Sequence, residues 1–349
     1  MSQEHRGPVS PVSRRSFLLT SGALAAAPAL SASAQAAPPP KVKPSDVAGT
    51  EHWTTKLAGA DKIKLFLWRK RLRTPPAGGR QGTILFVHGS SISATPAFDL
   101  QIPGRPECSV MDWFARKGYD TWCVDCEGYG RSDKARPINA DVSTGADDLT
   151  AAAAYIIKET GDKPMVYGES SGGLRAALFA QRHPEQVKRL VLDAFVWTGE
   201  GSPTLTERRK KLAQFQASNR RPIDRDFVRS IFTRDHPGTS DQTIVEAFAD
   251  AVLALDNSAP TGTYVDMCSK LPLVDPEKLA VPTLILRGQF DGIATFDDLS
   301  RFFAKLPGPD KQLIVMPGIA HSSTRSKNFT IVYHLLDGYF SQPAPVYVG

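Results

Sequence analysis

Three residue types that together support nucleophilic catalysis occur in the order serine, aspartate, histidine along this chain. Residues 164–173 read PMVYGESSGG and contain two adjacent serines, Ser170 and Ser171. Asp291 follows the run LILRGQF, and His321 follows LIVMPGIA. A serine hydroxyl becomes a nucleophile when a histidine accepts its proton and a carboxylate orients that histidine. The pattern predicts one of the two serines as nucleophile, His321 as general base and Asp291 as its orienting acid.

The glycines around the serine pair indicate which serine attacks. A strand that turns sharply into a helix leaves no room for a side chain two residues before or after the nucleophile. With Ser170 as nucleophile these positions are Gly168 and Gly172, whereas with Ser171 a glutamate would stand at the first of them. Ser170 is therefore the predicted nucleophile. Ser171, at the start of the helix, is predicted to donate its backbone N–H to the oxyanion.

Other acids and bases compete for the two supporting roles. Asp193 follows the run KRLVL and is the main alternative acid, and two acids in the next predicted helix are Asp297 and Asp298. The surrounding run LRGQFDG favours Asp291 over these. The remaining histidines of the second half lie in predicted helices or loops and lack a strand-end position: His183, His236 and His334.

The elements that position these residues alternate along the chain. From Glu51 onward, short apolar runs alternate with helical patterns, which is typical of a mostly parallel sheet with helices on both faces. We predict eight strands: HWTTKL, KIKLFLWRK, GTILFVHG, YDTWCVD, PMVYGE, KRLVLDAF, PTLILRG and KQLIVMPG. The predicted helices between them cover residues 110–117, 143–160, 172–181, 295–305 and 327–339.

One interval breaks this alternation. Residues 198–279 contain helical segments and prolines but no buried-strand pattern, so we predict a helical cap inserted between core segments 51–197 and 280–349. The cap contains the run Arg208-Arg209-Lys210-Lys211. One of these cations could hold a carboxylate of the substrate, but four adjacent charges point in several directions around a helix, which favours a solvated face.

The N-terminus has the composition of an export signal. Residues 1–36 contain early basic residues, an apolar run from Phe17 to Leu30 and a small-residue end at Ala36, where we predict cleavage. The pair Arg14-Arg15 resembles the twin-arginine signal of bacteria. The apolar run is too short for a span of roughly 20 residues. We therefore expect a periplasmic or secreted protein without stable membrane insertion. Residues 37–50 are predicted to form a linker between the signal and the folded core.

Charge and cysteine content narrow the remaining classes. The signal contains three arginines and one glutamate, so its removal lowers the net charge from +6 to about +4. This mild excess, without a basic stripe interleaved with aromatic residues, does not indicate nucleic-acid binding. No metal or other cofactor is predicted, because Cys123-x-x-Cys126 has no second pair. In an oxidising compartment we expect at least one disulfide among the four cysteines. Cys123 is expected as a buried strand residue, Cys126 either pairs with Cys108 or stays free, and Cys268 is unassigned.

Taken together, the motifs resemble the α/β-hydrolase superfamily with a helical cap after the sixth strand, over about residues 52–340. The resemblance implies that the loop HGSS after the third strand supplies the second oxyanion N–H, which we assign to Ser90, with Ser91 as the alternative. It also implies a bracing role for His88 and a loop-shaping role for residues 125–132, which have the pattern D-x-x-G-x-G-x-S. Some members place the acid after the sixth strand, which keeps Asp193 in competition.

The resemblance leaves the bond to be cleaved open. HGSS differs from the HGGG of hormone-sensitive-lipase-like esterases, and a serine stands where epoxide hydrolases and haloalkane dehalogenases carry aspartate, which favours an acyl-enzyme. We expect a carboxylesterase acting on a small-molecule ester. A carbon–carbon bond hydrolase, a peptidase with the same triad and a receptor-like binding protein are the alternatives. Phe195 and Trp197 are candidates for the pocket wall or for core packing, and the sequence predicts no particular oligomeric state.

Overall fold

A computed structural model describes residues 46–347 of the chain. The predicted signal peptide and most of the predicted linker lie outside the described residues. The strands, in chain order, are β1 (Val47–Ala58), β2 (Asp61–Leu72), β3 (Gly82–Val87), β4 (Tyr119–Val124), β5 (Met165–Glu169), β6 (Arg189–Asp193), β7 (Arg220–Pro222), β8 (Ser258–Pro260), β9 (Thr283–Gly288) and β10 (Lys311–Met316). The first strand therefore begins inside the segment predicted as linker.

The main sheet has the predicted architecture. Its strand order among the described residues is β1-β2-β4-β3-β5-β6-β9-β10. The pairs β1/β2 and β2/β4 are antiparallel, and all other neighbours are parallel. The prediction of an eight-stranded, mostly parallel sheet is confirmed. The carboxyl ends of β3, β5, β9 and β10 open at one edge, where ligands bind in sheets of this kind.

Helices flank the sheet and fill the interval between β6 and β9. They are α1 (Ala94–Phe98), α2 (Val110–Arg116), α3 (Val142–Thr160), α4 (Ser171–Arg182), α5 (Pro203–Arg209), α6 (Leu212–Ala217), α7 (Arg225–Thr233), α8 (Gln242–Leu253), α9 (Gly262–Ser269), α10 (Phe296–Lys305) and α11 (Phe329–Phe340). Within residues 46–347, none of them has the length and apolar character needed to cross a membrane.

Strand β3 shows how the sheet is buried on both faces. All six of its residues are buried. Leu85 and Val87 pack into the apolar cluster that contains α3 and α4, whereas Ile84 and Phe86 pack into the cluster that contains α2 and α11. Successive side chains of a strand point to opposite faces, so this continuous apolar run serves both layers.

The interval predicted as a cap contains α5–α9 and a second, two-stranded sheet. Strands β7 and β8 pair antiparallel through three residues each, and such short strands carry no periodicity that sequence reading detects. A third apolar cluster joins α7 and α8 to the loop after β3, with Phe248 of α8 fully buried and Ile92 and Tyr129 on the core side. This packing holds α7 and α8 against the edge where β3 ends.

The cysteines correct one expectation. All four have free thiols in the described chain, so the predicted disulfide is absent: Cys108, Cys123, Cys126 and Cys268. Cys108 packs against the same cluster beneath α7 and α8 as Cys126, but it is partly exposed whereas Cys126 is fully buried, and no bond joins the two sulfurs. Cys123 lies in β4 and packs with the α2 and α11 cluster on another side of the chain. Burial raises the pKa of Cys126 to about 12 and keeps its thiol protonated.

Candidate active site

Ser170 lies at a sharp turn between β5 and α4. Its backbone has φ 59° and ψ −125°, a conformation that residues with a side chain rarely adopt. A Cβ at Gly168 would lie 2.4 Å from the carbonyl oxygen of Gly172, and a Cβ at Gly172 would lie 2.3 Å from that of Val87. These backbone contacts explain why both flanking positions require glycine. The strain presents the Ser170 side chain at the edge of the sheet.

Ser170, His321 and Asp291 form a continuous hydrogen-bonded chain. Oγ of Ser170 lies 3.1 Å from Nε2 of His321, and Nδ1 of His321 lies 2.9 Å from Oδ1 of Asp291. Asp291 follows β9, and His321 follows β10. All three side chains are buried. Loops after three parallel strands, far apart in sequence, thus meet at one point.

The charge on Asp291 is stabilised in place. Burial by itself raises the pKa of this carboxyl, but the neighbouring His321, which also hydrogen-bonds to it, and the backbone N–H of Ile293 lower it below the ordinary value. The carboxylate is therefore ionised at neutral pH. An ionised carboxylate on Nδ1 selects the tautomer in which Nε2 accepts a hydrogen bond from a serine hydroxyl.

The rival acid, Asp193, belongs to a different network. It is fully buried at the end of β6 and accepts hydrogen bonds from the hydroxyls of Tyr167 and Ser323. Burial raises its pKa to about 7 despite these hydrogen bonds, and the charges of Glu169 and Asp291 contribute to the rise. Asp193 makes no hydrogen bond to His321 in the described chain.

The loop after β3 lies directly against the nucleophile. A Cβ at Gly89 would lie 3.4 Å from Cβ of Ser170. The backbone N–H of Ser90 has no acceptor among the described residues, and Ser171 is the first residue of α4, where N–H groups have no partner inside the helix. The side chains of Ser90 and Ser171 are joined by a hydrogen bond of 2.7 Å between their Oγ atoms. Two backbone donors are thus available beside Ser170.

His88 braces this loop. Its Nε2 accepts the backbone N–H of Cys126 at 3.1 Å, so Nδ1 carries the proton and donates it to the carbonyl oxygen of Gly89 at 2.8 Å. Burial, with the nearby Arg175, lowers the pKa of His88 to about 3. The ring is therefore neutral and fully used in hydrogen bonds. The pattern of residues 125–132 closes a neighbouring loop, in which Asp125 accepts the N–H groups of Ala94 and Arg131.

A cavity opens above Ser170 and is walled by core and cap. On the core side it is lined by Ser90, Ser91, Glu169, Ser170 and His321 together with Gly89, Ile92 and Ala97. The other wall comes from the interval between β6 and β9 and consists of Arg208, Ile231, Arg234 and Tyr264. The cavity is thus polar and cationic on one side and carries the reactive groups on the other.

The structure does not bring Phe195 and Trp197 to this cavity. Phe195 is fully buried and packs on Phe302 with ring centroids 4.9 Å apart. The indole N–H of Trp197 donates to the carbonyl oxygen of Val274 at 3.1 Å. The backbone N–H groups of Trp197 and Thr198 donate to Asp298 of α10, so the chain after β6 follows this helix and both aromatic residues pack the core.

Several residues of the site carry no motif that sequence reading could use. Arg221 of β7 donates from Nη2 to Oγ of Ser91 at 2.6 Å and to the carbonyl oxygen of Ser90 at 3.3 Å. Glu169 forms a buried ion pair with Arg325, which also donates to the carbonyl oxygen of Ala97 at 2.7 Å. This pair ties the residue before the nucleophile to the segment after His321. Of these residues, only Arg221 belongs to a recognisable sequence feature, the high content of basic residues in the cap.

One group of side chains has the composition of a metal site. Ligand atoms of Asp235, Asp291 and His321 lie within 4.8 Å of one another. However, both ring nitrogens of His321 are engaged by Asp291 and Ser170, and Asp235 is paired with Arg234 at 3.3 Å. The triad geometry accounts for the proximity of Asp291 and His321, and the charge of Asp235 is paired with a cation.

Two segments of the chain match described families. Residues 105–328, more than half of the chain, match the hydrolase family described as serine aminopeptidase, S33. Residues 11–31 match the twin-arginine translocation pathway signal sequence. The second match confirms the predicted export signal and directs the protein to the periplasm or the exterior. The cleavage site after Ala36 stays a prediction.

Curated relatives share about a quarter of their residues with this chain. A 2-hydroxy-6-oxononadienedioate/2-hydroxy-6-oxononatrienedioate hydrolase from Cupriavidus pinatubonensis is 26% identical over 74% of this chain and 86% of its own length. A protein of the same name from Klebsiella pneumoniae is 28% identical over 69% of this chain and 81% of its own. A pimeloyl-[acyl-carrier protein] methyl ester esterase from Citrobacter koseri is 27% identical over 57% and 77%.

Solved structures share the fold. A thermophilic esterase from Thermogutta terrifontis superposes with a TM-score of 0.59 at 19% identity, covering 83% of this chain and 99% of its own. A bromoperoxidase from Bacillus anthracis gives 0.59 at 15% identity, covering 83% and 100%. At such low identity these likenesses establish the architecture and leave the substrate open.

Proposed function

Because the chain belongs to the serine aminopeptidase S33 family of α/β-hydrolases, we propose that it is an exported serine hydrolase that cleaves carboxylic esters through an acyl-enzyme. The observation that carries the proposal is the hydrogen-bonded chain from Ser170 through His321 to Asp291, with distances of 3.1 and 2.9 Å. A buried serine with this arrangement beside free backbone donors has the parts that acyl transfer needs.

The mechanism follows from the roles that each atom can take. Nε2 of His321 accepts the proton of Ser170 while Oγ attacks the ester carbonyl carbon. The backbone N–H groups of Ser90 and Ser171 bind the oxyanion that forms. His321 then returns the proton to the leaving alcohol, and the acyl group stays on Oγ. A water then gives a proton to the same nitrogen and attacks the acyl carbon, the bond to Oγ breaks, and His321 returns the proton to Oγ of Ser170 as the carboxylic acid leaves. Asp291 stabilises the imidazolium in both halves.

Carbon–carbon bond hydrolysis is the second candidate, and the names of two relatives favour it. The proteins from Cupriavidus and Klebsiella are named as hydrolases of a 2-hydroxy-6-oxo dienedioate. The same serine, base and oxyanion donors serve a ketone carbonyl, since both reactions pass through a tetrahedral adduct. In that case the leaving group is a carbon that must receive the proton in place of an alcohol oxygen.

A substrate panel with two serine variants tests the proposal. We expect mature protein to hydrolyse 4-nitrophenyl acetate and butyrate and to be inactivated by an organophosphate that modifies Ser170. Ser170→Ala is expected to lower kcat by about a millionfold. Ser171→Ala is the matched control, because it keeps the backbone N–H, and should retain most of the activity. If esters are inert and a 2-hydroxy-6-oxo dienoate is cleaved, the second candidate replaces the first. Full activity in Ser170→Ala contradicts both.

A further inference from the structure

The cap wall of the cavity is rich in positive charge. Arg208 of α5 and Arg234, which follows α7, line the cavity opposite Ser170 and His321. Arg221 of β7 lies behind them, with its guanidinium carbon 4.1 Å from the ring centroid of Tyr264. Two guanidinium groups thus contact the ring of Tyr264, and a third, that of Arg234, lines the same cavity above Ser170.

Two of these arginines have their charge or donors engaged. Arg221 donates to the side chain of Ser91 and the carbonyl oxygen of Ser90. Arg234 forms an ion pair with Asp235 at 3.3 Å. The acid in the cavity wall, Glu169, is already neutralised by its own partner on the core side. Of the three arginines, only Arg208 then has no hydrogen-bond or ion-pair partner among the described residues.

Arg208 is the unpaired cation of the wall. Its Nη1 is buried and has no hydrogen-bond partner among the described residues, and no ion pair is formed by its guanidinium there. Burial lowers the pKa of this group from its ordinary value, which reflects the cost of holding an unpaired charge out of water. The neighbouring basic residues differ, because Arg209, Lys210 and Lys211 are all exposed.

The position of Arg208 is fixed by Tyr264. The guanidinium carbon lies 4.4 Å from the ring centroid of the buried tyrosine, within the range of a cation–π contact. Burial alone would raise the pKa of Tyr264, but Arg208 and Arg221 lower it to about 7. Even with the tyrosine ionised, the positive groups of this wall exceed the negative ones. The wall therefore has the charge and the fixed geometry of an anion site.

We propose that Arg208, with Arg234 and Tyr264 beside it, binds a carboxylate of the substrate, so that the enzyme acts on anionic compounds such as half-esters of dicarboxylic acids. The inference rests on the proposed function, because it places this carboxylate in the cavity above Ser170. A guanidinium presents a planar fork that pairs with the two oxygens of a carboxylate. The unpaired Nη1 of Arg208 is the donor that such a ligand satisfies.

Matched substrates test the charge preference. One pair is mono-4-nitrophenyl glutarate and 4-nitrophenyl methyl glutarate, which place the carboxylate or its methyl ester on the acyl side. The other is 4-acetoxybenzoate and methyl 4-acetoxybenzoate, which place it on the alcohol side. We expect kcat/KM to favour the acid at least about tenfold in one of the two pairs.

Variants of Arg208 test whether this residue causes the preference for the acid over its methyl ester. Arg208→Met should lower kcat/KM for the preferred acid by about 10-fold to 100-fold and for its methyl ester by less than about threefold. Arg208→Lys keeps the charge and should restore part of the loss. Lys210→Met is the matched control, since Lys210 is exposed and paired with Glu207 at the surface. Thermal unfolding confirms that the variants are folded.

A binding measurement separates failure of this inference from failure of the proposed function. Glutarate is titrated calorimetrically into Ser170→Ala and into the same variant carrying Arg208→Met. If the unmodified protein hydrolyses no ester while glutarate binding to Ser170→Ala depends on Arg208, the anion site is supported and the esterase is overturned. Hydrolysis without acid preference, or an acid preference that Arg208→Met leaves unchanged, overturns the anion site and keeps the esterase.

Discussion

Nη2 of Arg221, in the short strand β7, lies 2.6 Å from Oγ of Ser91 in the loop after β3. The same nitrogen is 3.3 Å from the carbonyl oxygen of Ser90, whose backbone N–H is the proposed oxyanion donor. On the core side the hydroxyl of Tyr129 donates to that carbonyl oxygen at 2.9 Å. Ser90, whose N–H would stabilise the oxyanion, is thus held at its carbonyl oxygen from two sides, one of them the cap.

Removing the cap contact should disturb the oxyanion donor. We expect Arg221→Met to lower kcat by about 10-fold, with a smaller change in KM, because a displaced N–H weakens binding of the oxyanion more than binding of the ground state. Steady-state kinetics on 4-nitrophenyl butyrate measure both constants. Arg225→Met is the control, since Arg225 is a cap arginine paired with Glu246 on the surface. A change confined to KM would contradict a positioning role.

Substitution of Asp291 should reduce kcat far more than substitution of Asp193. Asp291→Asn is expected to lower kcat by about 10,000-fold, because an amide does not select the histidine tautomer that accepts the serine proton. Asp193→Asn should lower kcat by less than about tenfold, since this residue contacts Tyr167 and Ser323 rather than His321. The pair is measured at neutral pH with one ester. Equal losses in both variants would show that the assignment of Asp291 is incomplete.

Gly168, two residues before the nucleophile, should be required for stable folding as well as for catalysis. Gly168→Ala places a methyl group 2.4 Å from a backbone carbonyl oxygen, which a rotamer change cannot relieve. We expect a loss of about 3 kcal/mol in the free energy of unfolding, measured by urea titration. Gly338→Ala is the control, because no atom lies within 4 Å of a Cβ at this helical position. That variant should gain about 0.5–1 kcal/mol.

The residues predicted from sequence share a simple physical basis. Ser170, Asp291 and His321 each follow an apolar strand pattern, and the carboxyl ends of parallel strands meet at one edge. The same argument fails for Phe195 and Trp197, because a position near a strand end does not say over which neighbour the chain continues. The central strands of the main sheet were predictable because they are buried on both faces and form continuous apolar runs, as in β3, β4, β5 and β6.

The cap side of the site was not predictable in this way. Contact between Ser91 and Tyr264 joins residues 173 positions apart, one in a core loop and one in a cap helix. Arg221 lies in a three-residue strand that leaves no periodicity. Of the four basic residues 208–211, the sequence could not indicate which one extends into the cavity and is partly buried. Such contacts depend on how α5–α9 pack, which no local pattern encodes.

The free thiols predict the result of a chemical titration. Mature protein denatured without reductant should react with four equivalents of a thiol reagent, one for each cysteine of the chain. Cys123 and Cys126 pack into different apolar clusters, and a disulfide between them would require one side chain to leave its cluster. Native protein should react far more slowly at these two positions because both are buried. A titre of two thiols would contradict the structure.

Asp193 should impose a distinct pH dependence on stability. Its pKa is about 7 in the folded protein because burial penalises the charged form, against about 4 in an unfolded chain. Between these values the folded state binds the proton that the unfolded state has lost, so the contribution of Asp193 to stability falls as pH rises from about 4 to about 7 and then levels off. Asp193→Asn removes this dependence. The free energy of unfolding of the variant, relative to that of the unmodified protein, should therefore increase across this range. Urea titrations of both proteins at several pH values measure the difference, and a difference that stays constant with pH would show that Asp193 is ionised in the fold.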